Sequence, residues 1–360
     1  MINSLQSLRG IFAILISMSH IVINTATDEN MFYEGGTAGV EYFIVLSGFV
    51  MCAAYEKYAR EGSLNWGRYM ARRAIRIYPL NIFTLFLILP LIIPVRYTTD
   101  FMIICDFFLV QAWIPDAMVF YSCNIAAWCL SAFLFLYALF PFLIRIAVKD
   151  VKRFYWLTGI MMAALTIFII WLPEERLGWG LARWLYRVFP PVRLADFMLG
   201  MSLWQIFSGL KDGHFHNGIV SLSYWKKTAI EVISLLLVAV GSILAYKLDQ
   251  KWDTSLVWWI PITAVIMVYA LFDKSGGLFS RIFNMKWLVY FGDASFCYYL
   301  LHVPIMYMFR KVYCHFPALQ GIGWGWWAAA IFPTVIIASL IVYRYFDNPL
   351  GKRLRKLLNV

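Results

Sequence analysis

Charge is scarce in this sequence. Only 14% of its 360 residues are Asp, Glu, Lys or Arg, against 62% hydrophobic residues and a mean hydropathy of +0.70. A soluble domain carries about a quarter charged residues, so a soluble globule is excluded and a polytopic membrane protein is implied. Acidic residues are the rarer sign, 20 against 31 Lys and Arg, for a net charge of +11. In a soluble protein that excess would suggest nucleic acid, but no nucleic-acid motif accompanies it. Basic cytosolic loops and anionic headgroups account for it in a membrane protein. The six cysteines (Cys52, Cys105, Cys123, Cys129, Cys297, Cys314) lack metal-ligand spacing, and no metal is expected. Cys105 and Cys123 either bridge outside the membrane or, the favoured reading, stay as two buried thiols. Long polar linkers and internal repeats are missing too, so residues 1–360 are read as one membrane domain. The apolar run at 11–23 lacks a small-residue cleavage site, which argues against a signal peptide and for a first span.

What is present is a series of apolar segments. Ten are long enough to span a bilayer: residues 5–24, 39–55, 77–95, 126–147, 155–172, 191–207, 228–246, 255–272, 288–308 and 326–345. A shorter run at 101–113 carries Asp106 and reads as re-entrant or interfacial. The expected fold is all-α, a polytopic membrane helical bundle. Placing both termini in the cytosol puts twenty-one of the 31 Lys and Arg in inner segments and nine in outer ones, with Arg9 completing the set. The positive-inside rule favours that orientation. The outer loop 173–193 departs from it with Arg176, Arg183, Arg187 and Arg193, four cations suited to an anionic lipid or a substrate phosphate.

Within the first span, eleven positions separate Arg9 from His20. At about 100° and 1.5 Å per residue, both side chains share one helix face and lie about 16 Å apart along the axis. Ionisable groups at such depth usually face the bundle interior and serve a function. The plainer alternatives are an arginine that snorkels to the headgroups and a hydrogen-bonded interior histidine. After the second span, Arg68, Arg72, Arg73 and Arg76 recur at spacings of three and four, which suits positive-inside anchoring or a clamp on a multiply phosphorylated cytosolic ligand. Glu41, at the outer end of the second span, lies at a depth similar to His20 and is expected to hold that imidazole, as the acid of a hydrolase triad does.

Six motifs occur in one order over almost the whole chain: Leu8-Arg9-Gly10 with His20, GVEYFIVLSGF, RRAIRIYP, RLADFMLGM at 193–201, GDASFCYYLLHVP at 292–304 and YRYFDNP at 343–349. Together they resemble the integral-membrane acyltransferase-3 family, whose members acylate sugars of O-antigen, exopolysaccharide, peptidoglycan and related glycans. The resemblance carries the family's first-span pair onto Arg9 and His20, its arginine pair onto Arg73 and Arg76, its acid onto Glu41 and its late histidine onto His302. One motif departs: where members often read W-S-L-S-x-E, this chain has Trp128-Cys129-Leu130-Ser131-Ala132-Phe133, without the glutamate. The sequence also holds no counterpart of the esterase-like domain fused to longer members, so acylation is expected to be completed here or by a separate partner.

What the resemblance implies is transfer of an acyl group, most simply acetyl from acetyl-CoA in the cytosol, to a hydroxyl of a carbohydrate or lipid-linked glycan. His20 is expected as general base or as acyl-carrying nucleophile, with Glu41 as its partner. Arg9, Arg73 and Arg76 are expected to bind the coenzyme phosphates. His302, Tyr298 and Tyr299 would line the acceptor side, with Arg193 taking an anionic group. The expected location is the bacterial cytoplasmic (inner) membrane among its lipids. The rival reading is a proton-coupled transporter or flippase for a lipid-linked or anionic small molecule, in which Arg, His and Glu form a proton relay. No two-fold repeat between the halves supports it.

Overall fold

The computed structural model describes residues 2–20, 33–94, 97–172, 174–211, 218, 221–248, 252, 254–316 and 324–360. Among them there is helix and no strand. The main helices are α1 (Asn3–His20), α2 (Tyr33–Arg60), α3 (Trp66–Ile92), α4 (Asp100–Phe108), α5 (Trp128–Lys149), α6 (Val151–Trp171), α7 (Leu194–Lys211), α8 (Tyr224–Lys247), α9 (Ser255–Leu271), α10 (Leu278–Phe283), α11 (Lys286–Asp293), α12 (Ser295–His315), α13 (Trp324–Val342) and α14 (Asn348–Leu357). Starts follow the local sequence where a polar residue precedes an apolar run. Asn65, Thr99 and Asp150 each accept a backbone N–H three residues on, at 2.9, 3.3 and 2.9 Å.

Six described helices are long and apolar enough to cross a membrane: Gly36–Arg60, Trp66–Ile92, Ile125–Lys149, Val151–Trp171, Tyr224–Lys247 and Ala329–Leu357. The other expected spans are also helical, as α1, α7, α9 and α11 with α12, but only Ser255–Leu271 among them registers as apolar, and it is short. Their polar side chains explain the difference, because these helices bond inward. Ser4 donates to the Tyr269 carbonyl at 2.8 Å and Ser7 to the Phe283 carbonyl at 2.5 Å. The ends of two expected spans, residues 21–24 and Val95, lie outside the described residues, as do Arg96 and Lys251 of the outer charge count and Pro173 of the outer loop. The short run at 101–113 folds as α4 followed by a 3-10 turn at Gln111–Trp113. Leu109 takes a left-handed φ of 57° and stops α4 after nine residues, about 14 Å, too short to cross.

Helix α2 is central. Its Gly39 faces α1, where a Cβ would meet the Phe12 carbonyl at 2.8 Å. Its Gly48 faces α7, where a Cβ would overlap the Phe197 carbonyl. From α7, a Cβ on Gly200 would overlap the Val45 carbonyl and lie 2.7 Å from its carbon. Without a hydrophobic drive between helices in lipid, such backbone contact is how they gain packing energy.

Substituting Gly200→Val should therefore cost about 2 kcal/mol or more by overpacking, read as a lower melting temperature and less monodisperse protein in detergent. Gly209→Ala on the same helix, where nothing lies within 4 Å of a new Cβ, should leave both unchanged.

Candidate active site

His20 ends α1 half-buried, and His302 lies fully inside α12. Their rings are near-parallel, 3° apart in plane, with His20 Nδ1 2.7 Å from His302 Nε2. On its other side, His302 Nδ1 lies 2.6 Å from the Tyr299 carbonyl oxygen. A carbonyl only accepts, so His302 Nδ1 carries the proton and its Nε2 offers a lone pair. His20 Nδ1–H then donates to that lone pair. This order leaves the lone pair on His20 Nε2, for which the described residues supply no hydrogen-bond donor.

The backbone around His302 is held by neighbours. Pro304 has no N–H for the carbonyl four residues before it, and Asn124 Nδ2 takes that Leu300 oxygen at 3.0 Å. Asn124 N–H in turn donates to buried Asp106 of α4 at 3.3 Å. Thus the short helix fixes the turn that carries the histidine.

Below the pair lies a cavity with about 970 Å³ of empty space, part of it open to the surroundings. Arg9, Arg73 and Arg76 all line it, together with Ile16, Cys129 and Tyr299. Ile16 is one turn from His20 on the Arg9 face of α1, and Tyr299 is one turn from His302, so the cavity stops a helical turn short of the two rings. Each arginine is held from behind. Arg9 donates to Gln6 Oε1 at 3.2 Å, and Gln6 donates to Asp293 at 2.7 Å. Arg76 donates to Asp347 Oδ2 at 2.6 Å and sits 5.0 Å over the Phe296 ring. Arg73 donates to Tyr55 Oη at 3.0 Å and lies 5.5 to 5.8 Å from the ring centres of Tyr55, Tyr69 and Tyr137. Among the described residues Arg73 meets only neutral groups, so the cavity presents one guanidinium with no carboxylate beside it, next to Arg76, which has one. A site so built favours an anion.

Three of the expected placements differ. Glu41 does not meet His20. It is buried on Arg193 Nη1, in a cluster where Arg193 also donates to Asp196 at 3.3 Å, to Ser255 Oγ at 3.1 Å and to the Arg187 carbonyl at 2.6 Å. The reason is angular. Gly39 faces α1, and Glu41, two positions on, is about 200° round the helix and points to α7 and α9. Arg193 is therefore a fully buried node tying α2, α7 and α9, not a cavity side chain. Tyr298 likewise turns from the cavity and shares a 2.7 Å hydrogen bond with Ser17 of α1, while its neighbour Tyr299 lines the space.

Two functional features were missed from sequence. The partner of His20 is His302, 282 positions away. Asp347, in the YRYFDNP motif, orients Arg76, and an acid in a basic stretch was the available signal. Arg183 and Arg187, of the loop 173–193, are both buried. Arg183 Nε donates to Tyr121 Oη at 2.9 Å. All six cysteines are free, Cys105 and Cys123 buried, and no metal-binding group of side chains occurs among the described residues.

Residues 2–344 match the family described as an acyltransferase domain. The acyltransferase MdmB of Streptomyces mycarofaciens is 28% identical over 290 residues, 75% of this chain and 68% of its own. The O-acetyltransferase OatA of Staphylococcus aureus is 24% identical over 346 residues, 89% of this chain but 53% of its own, so the chain spans about half of OatA. No solved structure matches. The histidine with a free lone pair, the arginine-lined cavity and this match over nearly all the sequence lead to one conclusion: the chain belongs to the acyltransferase-3 family and is an O-acyltransferase.

Proposed function

We propose that this enzyme transfers an acetyl group from cytosolic acetyl-CoA to a hydroxyl of a cell-surface sugar or its lipid-linked precursor. The observation that carries the reading is the cavity itself, with three guanidinium groups along its wall and a histidine lone pair one turn beyond its end. Coenzyme A is a polyanion with a long flexible arm. Its phosphates suit Arg9, Arg73 and Arg76, and the arm suits the apolar wall between Arg9 and Ile16. The name of OatA, an O-acetyltransferase, supports the acetyl group and the oxygen acceptor. The sugar rests on the motif resemblance alone.

In this mechanism His20 Nε2 takes the proton of the acceptor hydroxyl as its oxygen attacks the thioester carbonyl. The C–O bond forms, the C–S bond breaks, and the imidazolium returns its proton to the leaving thiolate. His302 acts as a positioning residue. Its neutral Nε2 accepts from His20 Nδ1–H and strengthens that bond once His20 is charged, the part expected of Glu41. Glu41 contributes instead by locking Arg193 and the packing of α2. The topology that fits is ten spans with both termini in the cytosol, which brings the arginines toward the donor and His20 toward the outer side. The transporter reading has no observation of its own.

Thiol release from acetyl-CoA, measured with a glycan extract as acceptor, should fall by about 10²- to 10⁴-fold in His20→Ala, the range for loss of a general base. An unchanged rate would remove His20 from the chemistry.

With His302→Ala, kcat should drop about tenfold or more while the KM for the donor stays near wild type, because orientation is lost and not binding. Arg73→Ala with Arg76→Ala should do the reverse, raising that KM about 10²- to 10⁴-fold, since each of the two lost bonds to a charged group contributes about 1.5 to 3 kcal/mol. An unaltered KM would return both arginines to anchoring.

A further inference from the structure

The last helix is unlike the others. No residue of α14 is buried, and residues 348–360 contain four cations and no acid. At about 100° per residue, Leu350, Leu354, Leu357 and Leu358 fall within an arc of about 100°, while Lys352, Arg353, Arg355 and Lys356 fill the opposite side. Leu350 and Leu354 are half-covered, in a helix that packs on α3. Leu357 and Leu358 stand clear at 76% and 56% exposure.

We propose that α14 is an interfacial helix seated on the anionic phospholipid leaflet, its leucine stripe at the acyl boundary and its four cations among the phosphates. Two observations choose this occupant. α14 continues the apolar helix Ala329–Leu357, which is long enough to span, so it emerges at headgroup level. Its charge has one sign on one face and its leucines lie on the other, the pattern of a membrane-surface helix. A π-helical stretch, Tyr343–Asp347, lies between α14 and the spanning part, and Pro349 sits in the first turn of α14; both are features at which helices bend. Asp347, the residue just before α14, holds Arg76. The helix that reads the lipid is therefore joined directly to a wall of the arginine-lined cavity.

The test uses the full chain in nanodiscs, with Cys314→Ser removing the one exposed thiol. Nitroxide labels placed through Leu357→Cys or Lys356→Cys report depth by their relative collision with oxygen and a water-soluble nickel complex. In discs containing phosphatidylglycerol, the oxygen-to-nickel ratio should be severalfold higher at 357 than at 356. In purely zwitterionic phosphatidylcholine discs that difference should shrink. Replacing the remaining cations of α14 by glutamine in each labelled protein should shrink it in the anionic discs as well. Equal, water-like ratios at both positions in both lipids would overturn the proposal, because the helix would then project into solvent. So would immersion at 357 that is the same in both lipids, since the stripe would then be held by apolar contact alone. The lipid comparison on the Leu357→Cys protein, which retains all four cations, decides between these even if the glutamine variant folds poorly.

Discussion

Helix α2 touches α1 with one face and α7 with another, each at backbone distance, and glycine is the residue that permits both. The rest of the interior takes its position from that double contact. It draws α1 into the middle of the bundle, where Arg9 and Ile16 line the cavity and His20 continues the same helix face one turn beyond it. It sends Glu41 to the far side, where an arginine and a second carboxylate await it. Arg193 with Glu41 and Asp196 places two acids against one guanidinium in a dry interior, which is costly to assemble and more costly to break. Its place in the fold is that of a register pin between α2, α7 and α9, set apart from the arginines that face the cavity.

The two charge groups differ in purpose because they differ in balance. In the Arg193 cluster, the bonds stay inside the protein. In the cavity, Arg73 is surrounded by tyrosine rings and a thioether, and Arg76 has one carboxylate on one edge. Field lines from such a wall end on whatever anion enters. The histidines above are arranged in the opposite way, as two neutral rings and a carbonyl in which each N–H has its acceptor and, among the described residues, the lone pair on His20 Nε2 is the acceptor left over.

Much of this was legible in the residues. Arg9 and His20 share a face because eleven steps of a helix nearly complete three turns, and both need a protein interior to be there at all. The arginines after the second span were readable as a group, and the six ordered motifs carried the family. What the sequence hid was rotation and long-range pairing. Similar depth made Glu41 a plausible partner for His20, yet depth says nothing about direction round the axis. Gly39, two residues before, held that information in the form of a missing side chain. Tyr298 and Tyr299 are one step apart, about 100° on the helix, and only the packing of α12 on α1 decides which faces the cavity. The span count stayed ambiguous for a related reason. Helices that carry inward serines and charges fall below the hydropathy of a span by length and composition alone.

The three cavity arginines are held from behind by Gln6, by a ring of tyrosines and by Asp347. A free arginine gives up about 1.5 to 2 kcal/mol of rotamer entropy when fixed. Here that loss is taken up on folding, so an arriving anion meets donors already still. The site spends the protein's conformational freedom in advance, and the ligand's own flexibility becomes the main entropic cost left at binding.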